Sequence, residues 1–113
     1  MTLREVVHAH IPTLSPESTV KDAIDKMDVY QFPALVVADH DAKPLAVITE
    51  GDISRAATAQ DSFMSLASKP ALDFSSTDPT TASLDMEVGD ALHLMLSSGL
   101  TILPVVDEDR LHG

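Results

Sequence analysis

Apolar residues recur along this chain with two spacings, one typical of helices and one typical of short buried strands. In the first third of the chain, four apolar residues stand at i, i+3, i+4 and i+7, and they are Val20, Ala23, Ile24 and Met27. This spacing predicts a helix of about ten residues with one buried face. Ser18, just before it, is predicted to be the N-cap. The continuous apolar run at 34–38 has the length of a buried strand.

A polar turn and a second strand and helix complete the predicted unit. Residues 39–44 (DHDAKP) have the polar side chains and the proline that are typical of a turn. The apolar residues 45–49 (LAVIT) predict a strand, and a second helix is predicted from Glu50 to about Thr58. With a short strand ahead of the first helix, the order is strand, helix, strand, turn, strand, helix.

The same unit is written twice, at an offset of 68 residues. When residues 13–41 are aligned with 81–109, ten of 29 positions are identical, whereas chance would give about two. The helical stripe of the second copy consists of Val88, Ala91, Leu92 and Met95. The chain is therefore predicted to contain one supersecondary unit in two copies.

The second copy is shorter than the first. Its apolar run at 102–106 predicts a strand, and residues 107–110 (DEDR) predict the turn that follows. Residues 111–113 align with the start of the strand at 45–49, so we expect the last strand and last helix of this copy to be missing. An open strand edge of this kind invites pairing with another chain.

The stretch between the two copies differs in composition. It is rich in Ser, Asp and Pro, yet it carries five large apolar residues, which are Phe63, Met64, Leu66, Leu72 and Phe74. We therefore predict a first repeat at 1–59, a partly packed connector at 60–80 with a short helix at 62–68, and an incomplete second repeat at 81–113.

Composition excludes several classes of partner and chemistry. Seven basic against 18 acidic residues give a formal charge of −11, which disfavours binding to nucleic acid and to anionic membranes. The absence of cysteine excludes disulfides, thiolate metal sites and cysteine nucleophiles. No apolar run approaches the roughly 20 residues of a membrane span, and residues 1–10 lack the features of a signal peptide. We expect a soluble cytoplasmic protein.

The doubled unit resembles a tandem pair of CBS domains, also called a Bateman module. The resemblance rests on the stripe Val-x-x-Ala-(Ile/Leu)-x-x-Met in both helices and on residues 103–107 (LPVVD) of the second repeat. It rests also on residues 47–53 (VITEGDI), an apolar strand that ends in Thr, followed two residues later by Asp. It implies an α+β fold in which two repeats of order β-α-β-β-α are related by pseudo-two-fold symmetry.

The resemblance also implies a function and a set of site residues. CBS pairs bind adenosine-containing ligands such as AMP, ADP, ATP or S-adenosylmethionine between the repeats, as regulatory ligands rather than required cofactors. The resemblance assigns the adenine slot to residues 11–13 and 32–34, and the ribose and phosphate to Thr49 and Asp52. The predicted ligand-binding residues are Thr13, Phe32, Pro33, Ala34, Thr49 and Asp52. It further implies a homodimer formed through helix faces, and regulation of an enzyme or transporter.

Thr49 and Asp52 have two interpretations from the residues alone. The spacing matches a capping box, with Thr49 as N-cap and Asp52 at the third helical position. The same groups can bind a ligand, because a carboxylate accepts hydrogen bonds from a ribose diol and a helix start attracts phosphate. Arg55 is the one basic residue near the motif, so polyphosphates should bind less well than adenosine, AMP or a cationic adenosyl ligand.

Catalytic and metal motifs are weak in this sequence. There is no Gly-x-Ser-x-Gly, no His-Glu-x-x-His and no phosphate-binding glycine loop, so we expect no enzyme and no catalytic residues. His8 and His10 would share one face of a strand, but no third ligand has a fixed spacing to them, so no metal site is predicted. Two hypotheses remain, a ligand-sensing regulatory module and a ligand-free module for homodimerisation or protein interaction.

Overall fold

Both predicted units are present in the computed structural model, which describes residues 1–59 and 62–113. The strands and α-helices follow in this order: β1 Thr13–Leu14, α1 Val20–Tyr30, β2 Ala34–Ala38, β3 Pro44–Thr49, α2 Glu50–Ala59, α3 Phe63–Ala67, β4 Ser76–Thr77, β5 Ala82–Ser83, α4 Val88–Ser98, β6 Val105–Asp107 and β7 Arg110–Leu111. Two short 3-10 turns, Leu3–Glu5 and Ala71–Phe74, precede β1 and β4.

The first unit forms a four-stranded sheet in the order β1-β2-β3-β4. β1 runs parallel to β2, and the other neighbours are antiparallel. The first four residues of β2 are buried, because β2 lies inside the sheet and packs in one core cluster with Ala23 and Met27 of α1. The predicted strands at 34–38 and 45–49, and the helix predicted from Glu50, are confirmed.

The first helix has a different cap from the one that we predicted. Thr19 is the N-cap, and its Oγ1 accepts a hydrogen bond from the Asp22 backbone N–H at 3.2 Å. Asp22 Oδ2 in turn accepts from the Thr19 N–H at 2.9 Å, which completes a capping box. The prediction for Ser18 is wrong, because its Oγ accepts from the Ser15 N–H at 2.9 Å and so stabilises the preceding turn instead.

The second unit forms a three-stranded sheet in the order β5-β6-β7. Its strand, predicted at 102–106, begins only at Val105. The reason is Pro104, which has no backbone N–H to donate to a ladder, whereas its counterpart Val36 pairs with Thr13 in the first unit. The predicted helix is confirmed as α4, although Leu92 of its apolar stripe is 56% exposed.

The chain also enters the strand that we expected to be missing. Arg110 and Leu111 form β7, which pairs antiparallel with β6. Glu108 and Asp109 turn the chain with positive φ angles of 50° and 64°, the conformation that two-residue hairpin turns require. The prediction that no part of this strand is present is therefore wrong, and the turn is shorter than the predicted 107–110.

Each unit holds the segment that precedes the other unit. The backbone bonds come in pairs related by the offset of 68: Val20 N–H to Lys69 O and Val88 N–H to Met1 O, then Ala71 N–H to Ser18 O and Leu3 N–H to Met86 O. Ala71 is accordingly buried in the first core and Leu3 in the second. This exchange joins the two units through backbone hydrogen bonds and shared apolar burial.

The connector contains the predicted short helix, here α3, with Ser62 as its N-cap. Leu66 is fully buried against Val20 and Ala56, which explains why a Ser-rich segment packs. Residues 60 and 61, where the predicted connector begins, lie outside the described residues. The domain bounds 1–59, 60–80 and 81–113 stay a prediction.

Candidate ligand-binding cleft

A cleft of about 570 Å³ lies between the two units. The first unit lines it with Pro33, Val47, the start of α2 and Arg55. The other wall consists of residues 76–80, which carry β4, and residues 99–102, which follow α4. A molecule in this cleft would touch both units at once.

Thr49 and Asp52 form the floor of the cleft at the beginning of α2. Asp52 Oδ2 accepts a hydrogen bond from the Thr49 backbone N–H at 2.9 Å, and Thr49 Oγ1 accepts from the Asp52 N–H at 3.1 Å. The predicted capping box is therefore confirmed. The Asp52 side chain is only 14% exposed, so its carboxylate is held in one orientation at the base of the cleft.

One cation faces several carboxylates among the lining residues. The ionised lining groups are Glu50, Asp52, Asp78 and Arg55. The Arg55 guanidinium donates through Nη2 to Asp52 Oδ1 at 2.6 Å. It lies over Gly51, where an added Cβ would stand 3.2 Å from Arg55 Nη1. Glycine at this position therefore makes room for the ion pair.

The structure separates the six predicted site residues into three groups. Pro33, Thr49 and Asp52 line the 570 Å³ cleft together. Phe32 and Ala34 line a second cleft of about 360 Å³, which Pro33 also borders. Thr13 lines neither of these and borders a third cavity of about 640 Å³ beside β1.

The second cleft is the pseudo-symmetric counterpart of the first. Adding 68 to Pro33 and Ala34 gives Thr101 and Ile102, and all four residues line the second cleft. Its described lining contains no Asp, Glu, Lys or Arg. The positions equivalent to Thr49 and Asp52 would be 117 and 120, outside the 113 residues given. The two clefts share a geometry and differ in chemistry.

Sequence reasoning missed one wall of the first cleft. Residues 78–80 and 99–102 face Thr49 and Asp52, whereas the sequence placed residues 11–13 and 32–34 there. The signal was available, because 99–102 is the counterpart of 31–34 at the offset of 68. Two repeats that face each other across a two-fold axis contribute the equivalent segment of the opposite copy, and the repeat alignment alone does not show that exchange.

Other candidate sites gain no support from the described residues. His8 and His10 are both exposed, and no group of three or more His, Asp or Glu residues in the described part of the chain is placed to hold a metal ion. No helix among residues 1–59 and 62–113 has the length and apolar character needed to cross a membrane.

Comparison with known families agrees with the architecture. The CBS domain family matches residues 3–59 and 71–113. The chain therefore belongs to the CBS domain family and contains a tandem CBS pair. The second match begins at residue 71, where the segment that packs into the first unit starts.

Individual relatives extend this assignment. Over 110 residues the chain is 34% identical to an inosine-5'-monophosphate dehydrogenase of Methanocaldococcus jannaschii, covering 96% of this chain but 21% of that enzyme. The structure of a putative acetoin utilization protein from Vibrio cholerae superposes with a TM-score of 0.89 at 23% identity, covering 100% of this chain and 82% of that one. CBSX2, solved in complex with AMP, superposes at 0.84 with 22% identity, covering 99% and 87%. The two structures show a shared fold.

Proposed function

We propose that this chain is a non-catalytic regulatory module that binds an adenosine-containing ligand in the 570 Å³ cleft. The observation that carries the proposal is the position of the Thr49 and Asp52 pair, at the start of a ten-residue helix and on the floor of a cleft between two units. The similarity of the fold to AMP-bound CBSX2 supports the same ligand class.

Each part of such a ligand has a chemically suitable partner in the cleft. The Asp52 carboxylate can accept hydrogen bonds from a ribose diol. The Thr49 hydroxyl and the free N–H groups at the start of α2 suit a phosphate, because a helix N-terminus carries partial positive charge. The base would lie between Pro33 and residues 100–102, which include Leu100 and Ile102. We assign Phe32 and Ala34 to the second cleft, and we give Thr13 no contact with this ligand.

Binding in this cleft would couple the two units. Its lining comes from both of them, so a ligand that fits one relative arrangement better than another shifts the equilibrium between arrangements. Such couplings are typically about 1 to 3 kcal/mol. We propose that the shift acts on assembly or on an attached or associated enzyme or transporter.

Calorimetric titration with AMP, ADP, ATP and S-adenosylmethionine tests the proposal. We expect at least one to bind, and Asp52→Ala to abolish the heat of binding. Asp22→Ala is the matched control, because Asp22 belongs to an equivalent capping box in α1 that borders no cleft wall. Absence of binding by all four ligands at millimolar concentration would refute the proposal, and so would equal losses in the two variants.

A second candidate function is self-association without a small molecule. Leu92 and Leu96 stand one turn apart on α4 and are 56% and 75% exposed, although apolar stripes of this kind are normally covered. Light scattering at micromolar concentration should then show twice the 12.1 kDa mass of the chain. The variant Leu92→Gln/Leu96→Gln should return a monomer, whereas Phe63→Gln, at an exposed site on α3, should not.

A further inference from the structure

The strongest feature that the proposed function leaves unused is the ion pair on the cleft floor. Arg55 Nη2 and Asp52 Oδ1 are 2.6 Å apart, a short charge-assisted hydrogen bond. The second carboxylate oxygen accepts from the Thr49 N–H. Both oxygens of Asp52 are thus engaged by the protein itself, and Oδ1 is the one whose partner is a mobile side chain.

The two partners differ in how firmly they are held. The Asp52 side chain is 14% exposed and fixed by the capping box, whereas the Arg55 side chain is 74% exposed. An exposed ion pair contributes roughly 0.2 to 1 kcal/mol, so the guanidinium can leave Asp52 at small cost. Arg55 is also the single cation among the described lining residues, opposite the carboxylates of Glu50 and Asp78.

We propose that Arg55 makes the cleft selective for a nucleoside monophosphate over the unphosphorylated nucleoside. This inference rests on the proposed function, because it requires the ribose to bind Asp52. A ribose diol that approaches Oδ1 displaces the guanidinium. A phosphate on the same ligand then offers the displaced Arg55 a new anionic partner, whereas a nucleoside leaves it without one.

The same geometry limits the number of phosphates. One guanidinium stands against Glu50, Asp52 and Asp78 in the lining, and each further phosphate would add negative charge beside those carboxylates. Like charges in a partly closed cleft repel. The expected order of affinity is therefore monophosphate first, with the triphosphate and the nucleoside both weaker.

Paired titrations with AMP and adenosine test the role of Arg55. In Arg55→Gln the affinity for AMP should fall about tenfold, the loss expected for one charge-assisted hydrogen bond. The affinity for adenosine should stay level or rise up to about fivefold, because no ion pair needs to be broken. Arg55→Lys should keep most of the preference for AMP, since it keeps the charge.

Arg4→Gln provides the matched control. Arg4 also forms an exposed ion pair, to Asp85 at 3.1 Å, and it lines none of the residues of the 570 Å³ cleft. The AMP to adenosine ratio should be unchanged in this variant. A ratio unchanged in Arg55→Gln, with both ligands bound by the wild type, would overturn the inference alone. Failure of both ligands to bind the wild type would overturn the proposed function and this inference with it.

Discussion

Two Thr-x-x-Asp boxes begin two helices of this protein, and locally they are nearly the same. In α1 the two hydrogen bonds between Thr19 and Asp22 measure 2.9 and 3.2 Å. In α2 the equivalent bonds between Thr49 and Asp52 measure 2.9 and 3.1 Å. The surroundings differ, because Asp22 is exposed on the surface whereas Asp52 lies on the floor of a cleft between two units. A capping motif becomes a candidate site only through what faces it.

The largest expected difference between the boxes is in ligand-induced stabilisation. With ligand at 100 times its dissociation constant, the free energy of unfolding should rise by about 2.7 kcal/mol. Wild type and Asp22→Ala should both show this rise in thermal unfolding, and Asp52→Ala should show none. A full rise in Asp52→Ala would mean that the two boxes have the same structural role only.

Removal of either threonine cap should cost a similar amount of stability. Thr19→Ala and Thr49→Ala each remove one capping hydrogen bond, so each should lower the free energy of unfolding by about 1 kcal/mol. Urea unfolding without ligand measures both losses. A negligible loss for Thr49→Ala beside a normal loss for Thr19→Ala would show that the α2 box is maintained for binding rather than for capping.

Acid should weaken the α1 box in a defined direction. The backbone and side-chain hydrogen bonds from Thr19 lower the pKa of Asp22 below its ordinary value of 3.8. A lowered carboxyl pKa in the folded state adds stability above the unfolded value, and that contribution is lost as the pH falls through the folded pKa. Stability measured from pH 5 down to about pH 2 should therefore fall less in Asp22→Asn than in wild type. An identical fall in both proteins would contradict the assignment.

The smallest effect is expected for the exposed cations near the two boxes. Lys21 pairs with Asp25 at 2.6 Å on α1, and Arg55 pairs with Asp52 on α2. Lys21→Gln and Arg55→Gln should each change the free energy of unfolding by at most about 0.5 kcal/mol, because both cations are largely exposed. Urea unfolding at low and high salt measures the change. A loss above 1 kcal/mol for Arg55→Gln would mean that the ion pair is too strong to open for a ligand.

Much of the fold could be predicted because it is encoded by short-range patterns. The stripe on α1, the apolar run of β2 and the repeat at an offset of 68 residues each identify an element without reference to the rest of the chain. The errors were local as well. Ser18 was preferred over Thr19 as a cap, and the effect of Pro104 on the ladder was not foreseen.

The site was predicted only in part. Thr49 and Asp52 were found because a cap and a ligand site use the same residues at the same spacing. Phe32, Ala34 and Thr13 were placed with them, although the structure puts these residues beside other cavities. Residues 78–80 and 99–102 carry no chemical motif that would announce them, so their presence opposite Asp52 could not be read from the chain.

The sequence by itself determined the repeat, the helices and strands, the CBS family and the pair of residues at the start of α2. Each of these depends on residues within one turn or one strand of each other, or on identity at a constant offset. Only the tertiary structure decided which half of each repeat faces which cleft. The physical reason is the two-fold exchange, in which backbone bonds from Val20 to Lys69 and from Val88 to Met1 dock each unit on the segment before the other. That docking sets Asp52 against the opposite repeat.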